Sequence, residues 1–506
     1  MTSTVELTRE TSGPGVRHLR VAVVGTGFSG LGMAIRLRQE GITDFLVFER
    51  ADEIGGTWRD NSYPGSACDV MSLLYSFSFA QNPNWRTTFG KQQEVLDYLR
   101  DCAERFGLAP HIRLGHELTG AAWDDAARRW RISTSQGDFT ADVLVTGTGY
   151  LSDPAVPEID GLSTFAGPVF HSSRWDHGAD LTGKRIAVVG TGASAIQFVP
   201  KIQPDAAQLH VFQRTAAWVA PKGDKEISAR QLWLRRRVPG YQNFRRNFNM
   251  WGREVLAFIM NSPKRAEKVL QGMASKHLAA SVADEGLRAK LTPDYTAGCK
   301  RLLFSDTWYP AITAPNVDVV TDRITRVTPT SVVTADGTER EVDVVIFGTG
   351  FQATSRPVAH LLRGRDGRTL GEAWDTGMSA YRGTTVAGFP NLFMLLGPNT
   401  TLGHSSQTVM IEAQLAYVLD AVKQLDARGA ASVEVRPEAQ AAWNARLDDL
   451  LTGTVWNAGN CRSWYLDASG RNPSIWPTYT FRFRRETRRF DIAAYRVATS
   501  AGVPVA

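Results

Sequence analysis

The chain is poor in cysteine. Four thiols, Cys68, Cys102, Cys299 and Cys461, are scattered over 506 residues. None stands in a CxxC pair, so neither a zinc site nor a dithiol redox centre is readable, and no metal is expected. Such isolated thiols are expected to stay reduced, as in cytosolic proteins. Long apolar runs are missing too. None approaches the roughly 20 residues that cross a bilayer, so stable membrane insertion is not expected. The opening stretch "MTSTVELTRETSGPGVRHLR" lacks the apolar core of a signal peptide, and a cytoplasmic location is the expectation. No long Lys/Arg block interleaved with aromatics is read, which argues against a nucleic-acid partner. The net charge of +6 is mild and suits anionic small molecules instead.

What is present is an ordinary globular composition, 43% hydrophobic and 21% charged. The length predicts about three domain-sized units at roughly 150 residues each. Two segments read alike: "HLRVAVVGTGFSGLGMAIRLRQEGITDFLVFER" from His18 and "GKRIAVVGTGASAIQFVPKIQPDAAQLHVFQR" from Gly183. Each is a β-branched run, Gly-Thr-Gly, an amphipathic stretch and a second apolar run, the pattern β-turn-α-β. Each is followed later by a similar returning strand, "DVLVTGTGY" and "DVVIFGTGF". The fold class expected is α/β, with two nested Rossmann-like dinucleotide-binding domains. The expected boundaries are a tail over 1–17, a first domain beginning at 18–160, a second over 168–345, and a return to the first over 346–506. The second carries a basic, mostly helical insert at about 225–290, broken at Pro239 and Pro263. A helical cap on the sheet is the favoured reading of this insert; a membrane-surface role is the alternative.

In the first turn Gly25, Gly27 and Gly30 satisfy G-x-G-x-x-G, with Phe28 and Ser29 between them. The glycines permit the tight turn, the approach of a pyrophosphate and the close packing of helix on strand. The phosphates then sit at the helix N-terminus. Glu49, at the end of the next strand, can accept ribose hydroxyls, with Arg50 beside it. The second turn has Gly190, Thr191, Gly192, Ala193, Ser194 and a permitted alanine, Ala195, at the third position. Glu49 lies 24 residues after Gly25; the same count from Gly190 reaches Arg214. An arginine there can clamp a 2′-phosphate, with Thr215 adding a hydroxyl, whereas an acid would repel it. The alternative is a surface arginine ending a strand. FAD is thus expected in the first site and NADPH in the second.

Two long strings carry a family resemblance. One is Phe165-x-Gly167-x-x-x-His171-x-x-x-Trp175-Asp176; the other is Gly55-Gly56-Thr57-Trp58, then Tyr63-Pro64-Gly65 and Asp69. With one glycine turn before both strings and the other after them, the chain resembles the type I Baeyer–Villiger monooxygenases, class B flavoprotein monooxygenases. The likeness runs from about 18 to 480 and is weakest in the helical insert. It implies that Arg301 is the active-site cation beside the flavin and that Asp69 pairs with it. It implies that Lys300 helps hold the NADP phosphate, that Tyr75, like Gly56, Thr57 and Trp58, belongs to the flavin site, and that Trp464 approaches NADP. "FPNLFMLLGPNT" from Phe389 resembles the segment that returns near the flavin.

The implied reaction uses NADPH and O2 to form a C4a-peroxyflavin that inserts one oxygen beside a ketone carbonyl, giving an ester or lactone. Its partners are a small ketone and O2; monomer and homodimer both remain open. His171 and Trp175 enter no chemical step. They are expected to form a hinge, Trp175 as anchor and His171 hydrogen-bonding across the linker to seat the second domain. Trp456, Trp464, Trp476 and Tyr479 could line a substrate pocket, though core packing is the commoner fate of such residues. Two rival readings share the cofactors: a flavin-containing N- or S-oxygenase, and an uncoupled NADPH oxidase or sensor flavoprotein. A disulfide reductase is set aside by the missing CxxC.

Overall fold

The computed structural model describes residues 15–353 and 356–499. Two sheets organise it. In the first, strand Arg17–Val24 lies between Phe45–Phe48 and Gly137–Thr146, parallel to both. Val21 and Val23 face one core, while Ala22 and Val24 face another on the opposite side of the sheet. Burial on both faces explains why the strand reads as an unbroken apolar run rather than an alternation. The chain returns late to this sheet: Leu392–Met394 pairs in parallel with Leu144–Thr146. The long helix Gln407–Arg428 then crosses the helix Phe28–Gln39, and Gly32 marks the crossing, where a Cβ would come within 2.8 Å of Leu415.

The second sheet is wholly parallel, five strands with Arg185–Val189 at its centre. Its edge strand is Val169–His171, paired with Val345–Phe347. The string holding His171 and Trp175 is therefore not a linker but the rim of the second unit. The true connections are residues on either side of Pro154 and Phe351, and they pair with each other. Ala155 donates to the Gly350 carbonyl at 2.9 Å, Gln352 donates to the Asp153 carbonyl at 2.9 Å, and Pro154 and Phe351 form an antiparallel bridge.

The insert is helical, as its pattern predicts, with helices Ala229–Arg237, Tyr241–Met260, Gly272–Ser281 and Glu285–Lys290. Both prolines act as breaks: Pro239 follows the first helix and Pro263 starts a short one. Among the described residues no helix is long and apolar enough to cross a membrane.

One expectation is overturned outright. Cys299 and Cys461 form a disulfide across 162 residues of sequence; Cys68 and Cys102 are free and buried. Spacing alone could not show it, because the pairing depends on the C-terminal segment folding back over the residues before Lys300.

Candidate active site

Both glycine turns use the same construction. Gly25 has φ +98°, and a Cβ there would meet the Gly147 carbonyl oxygen at 2.8 Å; Gly190 has φ +107° and would meet that of Gly348 at 2.6 Å. Each turn is thus closed by the first glycine after the returning strand. The middle glycines differ. A Cβ on Gly27 would find nothing nearer than 3.8 Å, and one on Gly192 nothing nearer than 3.7 Å. The protein alone would tolerate a methyl group at either place, so the reason for glycine lies outside the polypeptide. A dinucleotide approaching the backbone would supply it. Gly56 (φ +53°) backs directly on Gly27, its Cβ position 3.0 Å from the Gly27 Cα, which brings the second string onto the first turn.

Glu49 is buried beside this turn. It accepts from the Thr26 backbone at 3.0 Å, the Thr26 hydroxyl at 2.6 Å and the Ala51 backbone at 3.1 Å, and it pairs with Arg59 at 3.1 Å. Arg50 points away toward Asp153, at 3.5 Å. Phe28, Trp58 and Tyr75 converge: ring centroids of Tyr75 lie 5.0 Å from Phe28 and 5.5 Å from Trp58, and the Trp58 indole donates to the Tyr75 hydroxyl at 3.1 Å.

The register between the two turns is not the one counted from sequence. Val24 pairs with Phe48, and Val189 with Phe212, so the second unit is one residue shorter between turn and strand end. Gln213, not Arg214, stands where Glu49 does; each donates its backbone N–H to the next strand, to Arg113 and Val320 respectively. Arg214 corresponds to Arg50. A neutral amide stands in place of the acid, and an arginine follows it. Lys300 comes to the same place. Burial, then the neighbouring Arg214 charge, hold its pKa below the usual lysine range. Neither cation makes an ion pair among the described residues. Asp294 acts on Lys300 more weakly than burial and Arg214 do, so the two like charges leave a site suited to an anion.

Between the two turns lies the pair Asp69–Arg301. The Arg301 Nε and Nη2 both donate to Asp69 Oδ2, at 2.9 and 2.5 Å. The Arg301 and Asp69 side chains stay 31% and 24% exposed. Asp69 raises the Arg301 pKa further above the usual range, outweighing burial. Burial alone would push the Asp69 carboxyl up; the charges of Arg301, Arg253 and Lys222 outweigh it and hold the carboxyl below its ordinary range. Both groups are therefore ionised at neutral pH.

Several residues here were not legible beforehand. Arg253, on the inner side of the insert helix, and Lys222 add positive charge near Asp69. Tyr465 is buried near Arg301, its pKa pushed up to about 12 by burial against the pull of that cation. His404 is fully enclosed, its two ring nitrogens unpartnered among the described residues, and burial drives its pKa to about 3, so it is neutral. Trp464 is half-exposed at the cleft, its ring 6.0 Å from Tyr150 and stacked. Trp456 and Trp476 are core residues, 1% and 0% exposed, and line no open pocket.

Trp175 packs inside the second unit, 5.1 Å from Phe170 and 5.2 Å from Phe198 by ring centroids. His171 Nδ1 bonds locally, to Ser173, while its ring lies 5.7 Å from that of Phe351 in the connecting ribbon; burial outweighs a backbone hydrogen bond at Gly350 and pushes its pKa down to about 4. The contacts that do reach the first unit come from its neighbours: Arg174 to Asp60 at 3.7 Å and His177 to the Ser62 hydroxyl at 2.8 Å.

The family model described as "Flavin-binding monooxygenase-like" matches residues 18–357. A Baeyer–Villiger monooxygenase of Streptomyces coelicolor is 53% identical over 490 residues, covering 96% of this chain and 94% of that protein. One from Pseudomonas aeruginosa is 50% identical, covering 96% and 92%. Among solved structures, closed cyclohexanone monooxygenase superposes with a TM-score of 0.87 at 28% identity, covering 96% of this chain and all (100%) of that one. Oxidised steroid monooxygenase bound to NADP gives 0.84 at 30% identity, covering 95% and 99%.

Proposed function

The chain belongs to the flavin-binding monooxygenase-like family, and from that premise we propose that it is a Baeyer–Villiger monooxygenase converting a ketone to an ester or lactone. Its cofactors are FAD and NADPH. The observation that carries the reading is the Asp69–Arg301 pair, partly exposed and on chain segments adjoining both dinucleotide turns. Gly27, Gly56 and Glu49 would hold the flavin dinucleotide, and Phe28, Trp58 and Tyr75 would wall its site. Gly192, Arg214 and Lys300 would hold NADPH. When bound, FAD reduced by NADPH supplies activated dioxygen.

The protein's own contribution is electrostatic. Oxygen attack on a ketone carbonyl gathers negative charge, first on the attacking oxygen and then on the carbonyl oxygen. A guanidinium fixed before the reaction stabilises that charge without reorganisation. Arginine suits the task because it stays protonated at any working pH. Asp69 fixes the Nε–Nη2 edge of Arg301, and the Tyr465 hydroxyl lies against the same guanidinium. Arg253 and Lys222 deepen the positive potential, so one carboxylate does not cancel it. Trp464 and the segment bonded to Cys299 would close the cleft against water. A reaction that consumes NADPH is placed by this reading in the cytoplasm.

The test is product analysis under ¹⁸O₂ with purified protein, NADPH, and panels of ketones and sulfides. Ester carrying one labelled oxygen is the expected product, and Arg301→Ala should abolish it while leaving FAD bound and NADPH oxidation detectable. Sulfoxide alone would support a heteroatom oxygenase, and hydrogen peroxide alone an uncoupled oxidase. Full ester formation by Arg301→Ala would remove the role assigned to that residue.

A further inference from the structure

The insert helix Tyr241–Met260 has two faces of opposite kind. Arg246, Met250, Glu254, Ala257 and Met260 are buried inward. Phe244, Phe248, Trp251, Val255 and Phe258 point outward, 64%, 63%, 55%, 58% and 50% exposed. Their spacing of four, three, four and three residues puts them in one stripe, roughly 20 Å long at the rise of an α-helix. The stripe is broadened by Trp233, 58% exposed, and by Phe481, whose ring lies 5.9 Å from that of Trp251. Single exposed hydrophobics are ordinary, but a contiguous aromatic stripe marks a contact surface.

The rim of the stripe identifies the contact. Residues 229–268 hold ten Lys and Arg against two Glu; Arg246, Arg253 and Glu254 are turned inward, Glu254 onto Thr480, which leaves eight cations and one acid. The adjoining segment 481–490 adds five exposed arginines; its one acid, Glu486, is already paired with Arg446. Arg236, Arg237, Lys264 and Lys268 are exposed around the stripe. A second copy of the same face would bring these cations against one another. An anionic bilayer surface complements both features: apolar rings enter the acyl boundary, and the basic rim meets the headgroups. Trp and Phe beside Arg are suited to that boundary.

We infer that this face docks the enzyme on anionic lipid, with the helix lying in the plane of the membrane surface and no segment crossing it. The inference rests on the outer face alone and does not depend on the reaction performed. The FAD-loaded enzyme should float with vesicles of phosphatidylglycerol and phosphatidylcholine at low salt, and not with phosphatidylcholine alone. Binding should fall steeply as salt is raised. Arg236→Gln with Arg237→Gln should weaken it roughly 25-fold, at about fivefold per cation. Phe248→Ser with Trp251→Ser should weaken it at least about tenfold, with NADPH oxidation in vesicle-free buffer unchanged. No flotation at low salt would overturn the inference, as would unchanged flotation of both double variants. So would a dimer in light scattering that the Phe248→Ser, Trp251→Ser pair dissolves, since the stripe would then join two copies.

Discussion

Gln197, on the helix after the second glycine turn, is gripped by the first unit at both ends of its amide. Its Oε1 accepts from the Tyr63 hydroxyl at 2.9 Å, and its Nε2 donates to the Ala67 carbonyl at 3.0 Å. The helix that would carry NADPH is thereby docked on the string Tyr63-Pro64-Gly65, where a Cβ on Gly65 would reach the Gln197 carbonyl at 2.6 Å. Gln197→Ala loses both bonds and leaves the buried Tyr63 hydroxyl without this acceptor, at about 1–3 kcal/mol. The expected result is a KM for NADPH up to about tenfold higher and more peroxide per NADPH consumed, with FAD content unchanged. Tyr63→Phe should do less. Equal kinetics in wild type and Gln197→Ala would mean that the seam plays no part in presenting the nucleotide.

Arg214 should discriminate NADPH from NADH. A charge-assisted contact to the 2′-phosphate is worth about 1.5–3 kcal/mol, so Arg214→Gln should raise KM for NADPH about 10- to 100-fold and leave NADH almost unaffected. Steady-state kinetics with both nucleotides settles it. An equal loss with each would turn Arg214 into a structural residue.

Lys300 gives a pH dependence. Burial and then the Arg214 charge lower its pKa, so its proton leaves at a lower pH than that of an ordinary lysine, about 10.4. As pH rises through the alkaline range, Lys300 loses its charge while Arg214 keeps its own, and the hold on the phosphate weakens. KM for NADPH should therefore climb with pH while KM for the ketone does not follow it. Lys300→Met should show the high KM at every pH. A flat wild-type profile would count against the assignment.

The Cys299–Cys461 bond ties the residue before Lys300 to the segment that bears Trp464. Such bonds contribute about 2–4 kcal/mol. Cys461→Ser should lower Tm by several degrees and make it indifferent to reductant, whereas the wild type should lose the same amount on reduction. An unchanged wild-type Tm in reductant would show that the bond carries no load.

Much of this was legible because it is local. A glycine turn, its flanking strands and its returning strand occupy short windows, and the chemistry of each residue type follows from backbone geometry. The pair Asp69–Arg301 lies 232 residues apart and was reachable only through family resemblance. The disulfide and Gln197 were not reachable at all, since topology and not periodicity brings such residues together. The misjudged register of Arg214 has a smaller cause: one residue fewer between turn and strand, which no count from the glycine alone can see. The insert helix shows a further limit. Its pattern reveals two apolar stripes, but not which of them the fold leaves outside.

Two separate single-stranded tethers would let the second unit swivel freely. Residues around Pro154 and Phe351 instead run as one hydrogen-bonded ribbon, further closed by the Thr349 hydroxyl donating to Ala155 at 2.6 Å. A ribbon bends across its flat side far more easily than it twists. Any displacement of the second unit that keeps these bonds is a bend about one axis, as of a door.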